Sequence, residues 1–415
     1  MRMRIEVLGS GMEVGRSCLE VDGSVLLDCG ILMSEELDPA PRDFFPRLRH
    51  VEKITDVFIS HAHLDHSGFL PFLVDRGFDG NVYCVKPTKD LFKVLLLDSL
   101  NLAKGPWAKL DKSIVDPVMD LIQPVDYDEE IRIPGGRAMF IKSHHILGSA
   151  MTFLEKGGRK ILYTSDYNAG PTRCFRGARF ELERHEELRG LDALLIESTY
   201  GDTARPSRKL REDYLIHAVN RSLDEGRRVF LPSFALGRAQ ELERIFVENR
   251  SRLPYVNIHV DGMIREMNRI HNQYQRYMDT EFPLVFREVR RSIRDQVLND
   301  PQGVIITTSG FCQGGPIRFY LDNSAEGDTV IFSTSYFPRG SMADKIKYER
   351  SYDGTPLNVE EVDLSAHSSF HDSVDMVKRL NPAVTYTLHG DPVPEKFLAY
   401  QVGGYPLVNE ERIVV

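Results

Sequence analysis

The run His61-Ala62-His63-Leu64-Asp65-His66 places three imidazoles and a carboxylate in six consecutive residues. In extended chain, residues i and i+2 point to the same side, so His61 and His63 can share one metal ion. Asp65 and His66 follow where the chain turns, and can face a second ion close to the first. Imidazole and carboxylate suit zinc or a similar divalent cation, and four such groups exceed what one catalytic ion needs. A polar loop with histidines by chance is the bland alternative. With 13 histidines in 415 residues, three in six positions argue against it. Further donors stand at the ends of strand-like runs: His144 and His145 after AMFIKS, Asp166 after KILYTS, and His389 after VTYTL. Each alone has a plain structural reading, as a strand-end histidine with a partner or an Asp capping a turn. Of His144 and His145, only one can point inward.

These donors need a scaffold that gathers strand ends, where sheet enzymes commonly build sites. RIEVLGSG and SCLEVDGSVLLDCG read as strands, the latter folded around the hairpin dipeptide Asp22-Gly23. TDVFIS runs into the histidine cluster, NVYCV reads as a strand, and residues 90–103 have helical apolar spacing. After Tyr200 the character changes. Residues 207–224 and 237–250 look helical, RRVFLPS between them looks like a buried strand, and 262–297 reads mostly as polar, Arg-rich helix. VIITTSG and DTVIFSTS are strand-like again, and past residue 350 short strands return as VDLSAH, VTYTLHG and RIVV. One order of elements, interrupted by a segment of other composition and then resumed, is the signature of a domain inserted into another.

The composition, 42% hydrophobic and 27% charged, is that of an ordinary globular protein. No apolar run approaches the roughly 20 residues of a membrane span, and the first residues lack a signal-peptide core. A soluble, cytoplasmic protein is expected. The cysteines Cys18, Cys29, Cys84, Cys174 and Cys312 form no CxxC pair, which argues against a disulfide framework and a cysteine-based zinc site. The net charge of −9 excludes a uniformly basic nucleic-acid binder, yet the charge is uneven. Residues 201–350 carry 23 Lys+Arg against 20 Asp+Glu, and 20 of those 23 are arginine. The guanidinium fork suits phosphate oxygens, although an Arg-rich solvated helical surface has the same composition.

Taken together, HAHLDHSG, HILGSA, TSD and the late LHG resemble the metallo-β-lactamase fold, whose HxHxDH motif binds two metals. ESTYG (197–201), PSFALGRAQEL (232–242), SAH (365–367) and LHG (388–390) resemble its β-CASP nuclease branch. FALGRAQEL is especially similar to the nuclease subunit of the cleavage and polyadenylation specificity factor and its archaeal relatives. The resemblance extends over essentially the whole chain. With the first strand beginning at residue 4, the shorter archaeal form without KH domains is the expected match.

That resemblance implies an α/β protein: a metallo-β-lactamase αββα sandwich at 1–203 and 351–415, interrupted by an α/β β-CASP domain at 204–350. It implies two Zn2+ ions per chain, one held by His61, His63 and His145, the other by Asp65, His66 and His389, with Asp166 bridging. His145 is preferred to His144 because ILGSA follows it. Asp28 would orient the ligands, and Glu197 would pair with His367 as general acid, so Asp28, Asp65, Glu197 and His367 form the catalytic set. Glu197 and His367 lie where the chain leaves and re-enters the first domain, and two crossing points of an insertion must be neighbours. RNA is the implied partner, gripped by the Arg-rich insertion in a cleft between the domains; no membrane is involved, and a homodimer is left open.

The implied reaction is hydrolysis of RNA phosphodiesters in 3′-end processing or decay, leaving a 3′-hydroxyl and a 5′-phosphate. Cleavage can be internal or proceed from a 5′ end. Two segments depart from the family pattern. STSYFPRGSMADK (333–345) stands where a GYQ-A-x-GT-like stretch is usual, leaving Ser335, Arg339 and Ser341, with Arg238 and Ser309, as candidate substrate contacts. His389-Gly390-Asp391 replaces histidine-glycine-glutamate. Three alternatives remain: a DNA nuclease of the same branch, which His389 disfavours; a thioester or lactam hydrolase, which would not need Glu197, His367 or the arginines; and a non-catalytic scaffold subunit, from which ligand loss would be expected.

Overall fold

A computed structural model describes residues 2–32, 44–253, 255–280, 283 and 286–415. The chain forms two compact units: 1–171, 176–204 and 367–415 make the first, and 172–175 with 205–366 the second.

The first unit is built on two seven-stranded sheets. One runs in the order Arg412–Val414, Arg4–Gly9, Cys18–Val21, Val25–Leu27, Asp56–Ile59, Asn81–Val85, Ile122–Val125. The other runs Tyr405–Pro406, Val384–Leu388, Ala193–Glu197, Arg159–Tyr163, Ala150–Lys156, Gly136–Lys142, Ile131–Ile133. The last segment of the chain thus supplies an edge strand to each sheet. Asp22 and Gly23 carry φ of +51° and +74°, the paired left-handed conformation of a tight hairpin, which links Cys18–Val21 to Val25–Leu27. Phe58 of one sheet meets Phe140 of the other with ring centroids 5.8 Å apart. Residues alternating with Phe140, such as Met139 and Ile141, point the other way and pack with Met376, Val377 and Leu380 of helix Phe370–Leu380. Helix Lys86–Leu102, which buries Leu91, Phe92, Leu96 and Leu100, connects two parallel strands of the first sheet. This is the αββα sandwich.

The second unit has one six-stranded parallel sheet, ordered Arg287–Val289, Asn257–Asp261, Gly303–Thr307, Val229–Pro232, Thr329–Phe332, Asn358–Glu361. Strand residues alternate between two cores. Val229, Leu231, Val304, Ile306 and Ile331 pack with helices Arg208–Asp224 and Arg238–Glu248. Phe230, Ile305, Val330 and Phe332 pack with Ile317, Tyr320, Leu321, Ala343 and Ile346. Helices on both faces explain why these strands read as continuous apolar runs.

Two expectations need correction. The stretch 262–297 is not mostly helix: Ile264–Gln273 is helical, and Arg287–Val289 is an edge strand. Only Val289 of that strand is buried, so it has no apolar run to announce it. The return at residue 351 also comes later. Asn358–Glu361 pairs in parallel with Thr329–Phe332, so the second unit extends to Ala366. The stretch VDLSAH itself lies after this strand rather than in it. Among the described residues, no helix is long and apolar enough to cross a membrane.

Candidate metal centre

Strand Asp56–Ile59 delivers Ser60 and His61 at its end, and His63 sits just before the short helix Leu64–Ser67. The turn is tight against Gly30: a Cβ there would fall 1.7 Å from the Asp65 carbonyl oxygen, so only glycine fits. His145 follows strand Gly136–Lys142, its amide donating to Ser149 Oγ at 3.1 Å. Asp166 follows Arg159–Tyr163, and His389 follows Val384–Leu388, its amide held by the Ser10 carbonyl at 2.7 Å. Asp28, Ser165 and His389 have φ of +62°, +47° and +53°. Left-handed backbone at non-glycine residues costs about 1 kcal/mol or more each and is typical of functional sites.

Side chains from these four strand ends converge. His63 Nδ1 lies 3.2 Å from His61 Nε2 and 3.3 Å from His145 Nε2. Asp166 Oδ2 stands 3.6 Å from both His61 Nε2 and His145 Nε2. The other carboxylate oxygen of Asp166 lies 3.4 Å from His66 Nε2 and 3.2 Å from His389 Nδ1. Asp65 Oδ2 completes this second group, 3.7 Å from His66 Nε2 and 3.5 Å from His389 Nε2. Asp166 is therefore shared, one oxygen to each group.

Behind the donors lies a buried polar layer. Asp28 accepts from the Ser60 amide (2.8 Å), Ser60 Oγ (2.9 Å), His66 Nδ1 (2.7 Å), Tyr163 OH (2.8 Å) and Ser165 Oγ (3.1 Å). His61 Nδ1 meets Ser60 Oγ at 3.0 Å, and His389 Nδ1 lies 3.3 Å from Thr199 Oγ1. Fixing one ring nitrogen leaves the other to face the centre. Sequence reasoning missed Ser60, Tyr163, Ser165 and Thr199. Their signal was adjacency: all four lie within three residues of a predicted site residue, in FISHAH, LYTSD and ESTYG.

The donor set fits divalent cations. A tetrahedral site with metal–ligand bonds of about 2.0–2.1 Å has edges of roughly 3.3 Å, close to the separations in the first group. In the second, buried His66 Nε2, His389 Nε2 and Asp166 Oδ1 make no hydrogen bond of good geometry, an expensive arrangement unless something else occupies their lone pairs. Burial, followed by the neighbouring His66, pushes the His61 imidazole well below its ordinary pKa, and burial also lowers His63, so both present neutral donors. For Asp166 burial acts upward, but the imidazoles of His66, His389 and His367 outweigh it and hold the carboxyl well below its usual range.

His144 turns away. With φ of +61°, its Nε2 meets Glu181 Oε1 at 3.0 Å, and the following residue, His145, is the one in the cluster. His367 Nδ1 lies 3.0 Å from Glu197 Oε1, and its Nε2 lies 3.9 Å from Asp166 Oδ2. The second oxygen of Glu197 accepts from the Thr199 amide at 2.9 Å. A buried carboxylate with both oxygens committed holds the imidazole in one orientation beside the donor groups.

The expected substrate contacts all lie in the second unit, Arg238 at the start of a helix and the others in loops that follow its parallel strands. Ser335 and Arg339 are exposed. Ser309 instead braces its own loop, its Oγ donating to the Gly314 carbonyl at 3.2 Å. Ser341 is fully buried and caps helix Met342–Glu349, accepting from the Asp344 amide at 3.1 Å, so its hydroxyl serves the backbone rather than a phosphate. Arg238 opens helix Arg238–Glu248 within the electrostatic reach of Glu241 and Asp363.

Residues 17–188 match the family model of the metallo-beta-lactamase superfamily, and residues 239–346 match that of the Beta-Casp domain. The class is thus a metallo-β-lactamase fold carrying a β-CASP domain. An "RNase J-like protein" of Methanocaldococcus jannaschii is 31% identical over 409 residues, covering 92% of this chain and 91% of that protein. A "Probable RNase MJ4" from the same organism is 30% identical over 419 residues, covering 95% of each. The "Transcription termination factor FttA" of that organism is 33% identical over 426 residues; the match covers 92% of this chain but 65% of the factor. A crystal structure of a protein of unknown function from Enterococcus faecalis shares the fold, with a TM-score of 0.69, 16% identity and full coverage of both chains. The chain belongs to the archaeal relatives of the cleavage and polyadenylation specificity factor nuclease, within the β-CASP branch of the metallo-β-lactamase superfamily.

Proposed function

We propose that this protein is a metal-dependent ribonuclease that hydrolyses RNA phosphodiester bonds with two zinc ions per chain. The observation that carries the reading is Asp166, whose two oxygens face two separate groups of donors while His367 stands beside them. His61, His63 and His145 would hold one ion, Asp65, His66 and His389 the other, and Asp166 would belong to both. Such ions supply Lewis-acid activation of water near neutral pH and neutralise charge on a phosphoryl group. Asp28 keeps His66 in the tautomer that presents Nε2. Glu197 holds His367 by Nδ1, so Nε2 is the atom that can deliver a proton to the departing 3′ oxygen. That assignment leaves a 3′-hydroxyl and a 5′-phosphate.

The names of the relatives support RNA as substrate, and retention of every expected donor argues against a scaffold role. The chain spans about two thirds of the length of the termination factors it matches, so a part in 3′-end formation is proposed for the nuclease portion alone. The test is incubation of the zinc-loaded protein with internally labelled and 5′-labelled RNA, and with single-stranded DNA of the same sequence. Release of 5′-phosphate fragments from RNA, abolished by a chelator, is the expected result. Internal fragments from triphosphate and monophosphate RNA alike identify an endonuclease; mononucleotides from monophosphate ends identify a 5′–3′ exonuclease. Cleavage of DNA but not RNA would overturn the reading.

A further inference from the structure

The arginine-rich second unit raises a question that composition leaves open: which of its arginines are available to a ligand. Most are engaged. Arg173 and Arg208 are tied to Glu212, Arg221 to Glu360, Arg228 to Asp328, Arg252 to Asp213 and Arg294 to Asp261. Arg211, Arg250 and Arg350 donate to backbone carbonyls. Against this background Arg287, Arg290 and Arg291 are exposed and make no ion pair or hydrogen bond through their side chains with the described residues. The run 287–294 contains four arginines and one carboxylate, Glu288, which Arg269 approaches at 3.3 Å. Three unneutralised guanidiniums within five residues repel one another, and such a cluster is stabilised by a polyanion.

Its place in the fold says which polyanion. Arg287–Val289 is the edge strand of the parallel sheet, and Arg290 and Arg291 follow its carboxyl end. Because all six strands are parallel, the loops after Asn257–Asp261, Gly303–Thr307, Val229–Pro232 and Thr329–Phe332 leave from the same rim. The loop after Thr329–Phe332 carries exposed Arg339, four strands from the edge. At about 4.8 Å per strand the two basic positions are roughly 19 Å apart. Between them, on the two central strands' loops, Phe234 is 42% exposed and packs edge-on against Phe311, centroids 4.9 Å apart at 87°. Positive charge at both ends of a rim with a fixed aromatic face in the middle is the chemistry of a single-stranded nucleic acid: phosphates at the arginines, a base on the ring. A duplex, with its bases stacked inside, has no use for Phe234.

We infer that the carboxyl rim of the second unit's sheet is a track for single-stranded RNA, anchored at the edge strand by Arg290 and Arg291, with Arg287 two residues down that strand adding a third charge. The inference rests on the ribonuclease reading and adds a substrate contact made by residues of the second unit, none of them a proposed metal donor. It assigns these arginines to binding a long strand and gives them no part in bond cleavage.

The test uses the full zinc-loaded chain and a fluorescent, unstructured 20-nucleotide RNA with non-cleavable linkages, titrated at several salt concentrations. Each phosphate contact on a single strand contributes about 0.7 to the slope of log affinity against log salt. The R287A/R290A/R291A variant should bind roughly tenfold or more weaker at low salt, with the slope reduced by about 2. Its zinc content and its hydrolysis of bis(p-nitrophenyl) phosphate, a small phosphodiester with no strand to grip, should match wild type. The R287K/R290K/R291K variant keeps the charge and should retain most of the affinity; it also serves if the alanine variant folds poorly. Unchanged affinity and slope in the alanine variant, or equal loss with both variants, overturns the inference, as does weakened binding of an acidic protein but not of RNA. Failure of wild type to bind or cleave any RNA defeats the ribonuclease reading instead, a different result from wild-type binding that the alanine variant leaves intact.

Discussion

The Nδ1–H of His66 donates to a carboxylate oxygen of Asp28 at 2.7 Å, and neither side chain has any exposed surface. Two consequences follow from one bond. The imidazole is fixed as the tautomer whose Nε2 lone pair looks into the centre, and the buried Asp28 oxygens are satisfied by the donors that surround them. D28N keeps the shape but removes the charge and offers an amide where His66 needs an acceptor. Metal affinity at the group of Asp65, His66 and His389 should fall about 10- to 100-fold. Titration of zinc-free protein with a competing chelator measures this, and wild-type affinity would show that Asp28 does not tune the ligand.

Two zinc ions per chain are expected in carefully purified protein by elemental analysis. H389A removes a donor from the second group only, so it should drop the count toward one while leaving the fold intact by circular dichroism. Loss of both ions together would mean that the two groups do not load separately.

For His367 the expectation separates chemistry from binding. H367A should keep its metal and its affinity for RNA but lose about 10²–10⁴-fold in cleavage rate. A substrate whose leaving 3′ oxygen is replaced by sulfur departs without a proton, and should recover part of that loss. Normal cleavage by the variant would falsify the assignment.

Among the substrate contacts, R339A should weaken RNA binding and lower the salt slope by about 0.7. R238A should do something else. Arg238 sits near the acids Glu241 and Asp363 at a helix start, so its removal should cost thermal stability first. Comparing melting and binding for the two variants decides it; equal effects on RNA affinity would return Arg238 to the contact list.

Stability should also depend on pH through Glu243. Burial, only partly offset by Asn268 Nδ2 donating at 2.8 and 3.0 Å, pushes this carboxyl up to about 8. A folded pKa above the unfolded value means a contribution fully present below about 4.5 that is lost as pH rises toward 8. E243Q is neutral throughout. Relative to wild type its melting temperature should therefore gain steadily between pH 5 and 8, by an amount equivalent to about a few kcal/mol at most, then level off. A difference that does not change with pH would contradict a buried neutral carboxyl.

What could be seen in the residues alone was what is local. HAHLDH is legible because extended and turning backbone fix where neighbours point within a few residues. His145, Asp166 and His389 were legible as strand-end donors, and the family pattern chose His145 over His144. The layer around Asp28 was not, since Ser60, Tyr163 and Ser165 reach it from separate strands and no spacing rule links them. Arginine content likewise signalled phosphate, but which guanidiniums are spent on Glu212, Asp261 or Asp328 is decided only by tertiary packing. The strand Asn358–Glu361 has an ordinary strand composition; which sheet accepts it is a matter of the partner Thr329–Phe332, not of its own residues.

The residues of the centre and the layer behind it are gathered from Asp28 near the beginning of the chain to His389 near the end of its 415 residues. Six of the seven proposed metal donors exist once residue 166 has been added, yet the seventh and the imidazole at 367 arrive only with the last segment, which also supplies strands to both sheets of the first unit. A chain still on the ribosome, or one truncated before residue 389, holds an incomplete centre. Whatever such a chain encounters while it is being made, its own message included, meets a protein without its full set of ligands and without the histidine that faces them. Addition of residue 389 is thus the step that completes the proposed donor set.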